Sequence, residues 1–74
     1  MALPKVKKDR GYYLRVWRAE RDLSVADAAK HFGIGAAHWS LLENNRRNAS
    51  PSVGAELAKA TGTSIELFIM GAKP

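Results

Sequence analysis

The chain has 74 residues, enough for one small domain and too few for two. It has no cysteine, which excludes a disulfide framework and a thiolate metal site, and its two histidines are too few for a persuasive zinc site. The formal net charge is +5, and all of it lies in residues 1–21, which carry seven basic and two acidic side chains; residues 22–74 carry five of each.

Residues 1–10 show no hydrophobic period. Pro4 and the lysines predict a flexible basic arm over residues 1–11, with Lys5, Lys7, Lys8 and Arg10, ahead of a folded domain over 12–71. No apolar stretch follows these charges, so the segment lacks the pattern of a signal peptide. No run in the chain approaches the ~18 apolar residues of a membrane helix, and the expected setting is the cytoplasm.

From Tyr12 the spacing becomes helical. Tyr13, Leu14 and Trp17 share one face, Arg15 points away, and the helix is expected to run to about Arg21. Ser24 with Asp27 three residues on is a capping signature for a short second helix. Ala28, Ala29 and Phe32 supply its inner face, and Gly33 ends it by taking the left-handed conformation. Gly35 opens a third helix over about 36–45, after which Arg46, Arg47 and Asn48 read as loop. Ser50-Pro51 starts a fourth, carried by Val53, Leu57 and Ala58; Gly54 weakens it by roughly 1 kcal/mol relative to alanine. Gly62 stops that helix. Thr63 and Glu66 form a capping box for a last short helix, with Ile65, Phe68 and Ile69 inward and Gly71 at its end. The fold class is therefore all-α, a compact bundle of five helices with short connections, and no strand pattern appears.

A positive charge gathered at one end is the electrostatic footprint of a polyanion binder; the alternative is a solvated tail that aids solubility. The segment SVADAAKHFGIGAAHWSLLE, Ser24 to Glu43, decides more. It reads as a capped helix, a glycine-containing turn and a second helix, which is the helix-turn-helix layout. Ala28 and Ala29 allow two helices to cross closely, while Ile34, Trp39 and Leu42 anchor the second helix and free its opposite face.

Here the chain resembles the Cro/repressor (XRE-type) helix-turn-helix family. The residues that carry the resemblance are Leu23-Ser24, Ala29, Phe32-Gly33-Ile34, Leu42-Glu43, Arg46-Arg47-Asn48, and Leu57-Ala58 with Gly62, in register over about residues 12–70. The resemblance implies a λ-repressor-like bundle that binds double-stranded DNA, usually as a homodimer on paired half-sites, with the third helix in the major groove. It implies base-facing positions at Ala36, Ala37, His38, Ser40, Leu41 and Asn44, and phosphate contacts from Ser24, Lys30, Asn45, Arg46 and Arg47. It also implies a structural ion pair between Arg18 and Glu43. The basic arm would follow the DNA backbone, enter an adjacent minor groove, or stay solvated.

Three features depart from the family pattern. Val25 stands where a phosphate-binding glutamine is usual. Gly35 replaces a Ser or Thr cap, and the outer face of the third helix offers no Arg, Asn or Gln before Asn44. The arm is longer than the family core needs. Modest base specificity is expected, with much of the affinity from phosphates and DNA shape.

Trp17 and Trp39 are expected in the core and His31 on an exposed helix face. Leu67 and Met70 are placed away from the inward face set by Phe68, either as scattered exposed residues or as a small dimer contact. The leading expectation is a small repressor of phage, prophage or mobile-element type. The alternative is a protein-interaction module or antitoxin that keeps the fold and acts through a protein partner, which Leu41 and Val25 motivate. An enzyme is not expected, for there is no triad logic, phosphate-cradling glycine loop or carboxylate pair in an apolar pocket. No cofactor, metal, membrane or small-molecule ligand is called for.

Overall fold

The computed structural model describes residues 8–71, so Lys5 and Lys7 of the expected arm lie outside the described residues. Five helices follow in order: α1 (Arg10–Glu20), α2 (Val25–His31), α3 (Ala36–Glu43), α4 (Pro51–Thr61) and α5 (Ile65–Ile69). No strand occurs among the described residues.

Local capping sets the boundaries. Asp9 accepts a hydrogen bond from the Tyr12 amide at 2.9 Å and starts α1 two residues before the expected Tyr12. Ser24 caps α2 through the Asp27 amide, and Ser50 precedes Pro51 at the start of α4. The ends of α1, α2 and α3 share one closure. A residue at positive φ follows each helix: Asp22 at 52°, Gly33 at 70° and Asn45 at 59°. The next amide then reaches back five residues, Leu23 to Arg18, Ile34 to Ala29 and Arg46 to Leu41. Asp and Asn take the two non-glycine positions because their short polar side chains tolerate this region better than other side chains. The same closure ends α3 at Glu43 rather than at residue 45.

One core joins all five helices. Leu14 and Trp17 from α1, Ala28 and Ala29 from α2, Trp39 and Leu42 from α3, Leu57 and Ala58 from α4, and Leu67 and Phe68 from α5 are all buried. Trp17 lies at the centre of an aromatic cluster, with centroids 5.0 Å from Phe32, 5.1 Å from His31 and 6.0 Å from Trp39. Arg21 covers its outer face at 4.4 Å.

Three expectations are corrected and a fourth is extended. Arg10 and Gly11 belong to α1 and are buried, so the domain begins before residue 12 and Arg10 is no part of an arm. Leu67 is buried at 2 % exposure, which removes it from any surface contact; Met70 alone of that pair is exposed, at 67 %. The cap of α5 is Ser64, and the Thr63 hydroxyl pairs instead with that of Thr61 at 2.7 Å. Gly54 is more than a weak point in α4: a Cβ there would stand 2.5 Å from Ile69 Cγ2, so its absence lets α5 pack against α4.

Candidate nucleic-acid interface

The geometry of α3 follows from what holds it. Trp39 and Leu42 are fully buried beneath it, and Glu43 is nearly so. Glu43 takes a forked pair of hydrogen bonds from Arg18, Nη2 to Oε1 at 2.8 Å and Nε to Oε2 at 3.2 Å. The Trp39 indole N–H donates to the same Oε2, so the Glu43 carboxylate and the Trp39 indole, both buried, partner each other. Hydrogen bonding to Glu43 holds the Arg18 guanidinium above the ordinary arginine range. Arg18 also donates to the Leu23 carbonyl, linking α1, the α1–α2 turn and α3 at one point.

Two contacts here were not expected. Arg15, read as pointing away, donates to the Glu43 carbonyl at 3.0 Å and closes the C-terminus of α3 from outside. Gly11 lies against the same carbonyl, and a Cβ at Gly11 would overlap its oxygen. The signal for Arg15 was its spacing: it stands three residues before Arg18 and so shares a helical face with it.

Arg10 holds the segment after α3. Its guanidinium donates to Asn48 Oδ1 at 2.6 Å and to the Phe68 carbonyl at 3.1 Å, while the Ala49 amide donates to that carbonyl at 2.8 Å. Burial pulls the Arg10 pKa below the ordinary arginine value, with the Asp9 charge opposing. The loop carrying Arg46 and Arg47 is thus fixed at both ends, by the α3 closure and by Arg10.

The outer surface is then defined. Ala36, Ala37, Ser40, Leu41 and Asn44 are exposed on α3 or at its end. Asn45, Arg46 and Arg47 are exposed immediately after it, and Ser24 and Lys30 are exposed on α2 and its cap. Asn44 turns back on its own helix, donating from Nδ2 to the Ser40 carbonyl at 2.8 Å. Val25, at the departure from the family pattern, packs partly against the core. Lys8 is exposed just before Asp9.

His38 differs from its neighbours on α3. It is half-buried, and its Nε2 is sealed from solvent with no partner among the described residues. Burial first, and the Arg47 charge second, hold its pKa below 6.5. The unfolded chain therefore binds a proton before the folded domain does. This contribution to stability is complete above about pH 6.5 and is lost as pH falls through the lowered value. Urea midpoints are expected to fall on acidification in this window, and His38→Gln is expected to reduce that dependence.

This arrangement defines a class: an all-helical domain in which α2 and a turn containing Gly33 present α3 on inward anchors with its outer side open. The model of the helix-turn-helix domain family matches residues 11–68, and the chain belongs to that family. A solved structure, that of a hypothetical transcription factor from Neisseria, is similar over 99 % of this chain and 90 % of that one. Its TM-score is 0.64 at 22 % identity, a likeness in fold. No curated protein matches the chain.

Proposed function

We propose that the protein is a double-stranded DNA-binding transcriptional regulator of the Cro/repressor type, acting as a small repressor of the kind found in phages, prophages and mobile elements. The observation that carries this reading is the mounting of α3. Trp39, Leu42 and Glu43 fix it from inside, while its opposite side and the Arg46-Arg47 loop stand open. In the proposed complex α3 lies in the major groove. Ala36, Ala37, Ser40, Leu41 and Asn44 face bases, with His38 at the margin, and Ser24, Lys30, Asn45, Arg46 and Arg47 meet phosphates. Two copies would bind paired half-sites.

Sequencing of genomic fragments retained by the protein tests this directly. Enrichment of a palindrome with half-sites about one turn, ~34 Å, apart supports a dimeric regulator, and absence of any enriched site counts against it. The exposed Leu41 also fits an interaction module for a protein partner. Salt separates the two readings. DNA affinity held by several phosphates falls steeply as salt rises, whereas docking through Leu41 changes little. Arg46→Ala with Arg47→Ala is expected to weaken binding to all duplexes and to flatten the plot of log affinity against log salt by about one unit per arginine. An unchanged slope, read by fluorescence anisotropy, would remove both from the interface.

A further inference from the structure

The outer side of α3 carries two rows of different chemistry. Ala36, Ser40 and Asn44 form one row at helical spacing. That row is partly closed on itself, because Asn44 Nδ2 donates to the Ser40 carbonyl at 2.8 Å and approaches Ser40 Oγ at 3.4 Å. Ala37 and Leu41, four residues apart, form the other; both are exposed, and neither has a polar atom beyond its backbone. Exposed Arg46 and Arg47 follow α3 directly, the Arg46 amide donating to the Leu41 carbonyl at 2.8 Å, and no acidic side chain of α3 reaches its outer side, Glu43 being buried and paired.

We infer that Ala37 and Leu41 read the C5-methyl groups of thymine, so that the protein discriminates among base pairs by apolar contact rather than by hydrogen bonding. The inference rests on the DNA-binding reading above. In the major groove, thymine alone among the four bases presents a methyl group, and an apolar side chain gains by covering it. Arg46 and Arg47, exposed at the end of α3, would add the attraction to phosphates that brings the helix to the groove. A hydrogen-bond reader of purines would need a free bidentate side chain at these positions, and this face has none.

The test uses the full chain and four labelled duplexes: alternating dA-dT, the same with deoxyuridine for thymidine, alternating dG-dC, and the same with 5-methylcytosine. Each member of a pair carries the same phosphates and base-pair hydrogen bonds, and the two differ by the methyl group. Fluorescence anisotropy at one moderate salt concentration is expected to show about three- to tenfold tighter binding to the thymine duplex than to its uracil counterpart, from one or two covered methyl groups. The methylated dG-dC duplex is expected to gain over the unmethylated one. Leu41→Ser is expected to bring the thymine-to-uracil ratio close to one, with its folded state checked by circular dichroism. Equal affinity of the unaltered protein for thymine and uracil duplexes, with steep salt dependence retained, overturns methyl reading and leaves DNA binding standing. A ratio that persists in Leu41→Ser overturns the assignment to this row. Failure to bind any of the four duplexes at low salt overturns the DNA-binding reading itself.

Discussion

Leu41→Glu is expected to weaken binding to every duplex by roughly a hundredfold, about 2.7 kcal/mol, while leaving the helical fold and its thermal midpoint nearly unchanged. Leu41 lies on the side of α3 opposite Trp39 and is 37 % exposed. Glutamate is a comparable helix former, so neither the core nor the helix has reason to fail. The penalty arises only where the carboxylate would lie between two rows of phosphates. Anisotropy titrations and circular dichroism melts of the same preparation measure both halves of the expectation. Retained affinity would mean that this side of α3 does not meet DNA, and the proposed orientation would be wrong.

Arg18→Met should cost about 3 kcal/mol of folding stability, a large share of what a domain of this size holds. The substitution leaves the Glu43 carboxylate nearly buried, with Trp39 as its remaining side-chain donor. Urea denaturation followed by Trp17 and Trp39 fluorescence would report the loss. The double variant Arg18→Met with Glu43→Leu should recover more than half of it, because no unpaired charge then remains inside. If the single variant matches the unaltered protein in stability, the pair adds nothing to the fold and the mounting of α3 rests on Trp39, Leu42 and the contacts to the Glu43 carbonyl.

The parts legible in the sequence were those set by neighbouring residues. Ser24 with Asp27, Gly33, and the inward spacing of Trp39 and Leu42 are signals contained within one or two turns, and they located α2, α3 and the bend between them. The partnership of Arg18 with Glu43 spans 25 residues and came from family register rather than from periodicity. Arg10 shows where local reading fails. Among lysines it looks like one more tail charge, yet its partners are 38 and 58 residues away in Asn48 and Phe68. Leu67 failed for a geometric reason. A five-residue helix has little more than one turn, so a single inward direction drawn through Phe68 does not describe its packing, and adjacent residues 67 and 68 are both buried. Gly54 is legible by itself only as a helix-weakening residue; its second role, admitting α5, depends on Ile69, 15 residues further on.

The contact of Gly11 with the Glu43 carbonyl, closed by Arg15, seats α3 through main-chain atoms and a side chain of another helix. None of these groups is among the outward residues of α3. If the proposed reading holds, Ala37, Ser40 or Leu41 can be rewritten to address new targets without unsettling the cradle beneath, and a chimera bearing a foreign outward sequence should inherit the donor's preference on this chassis.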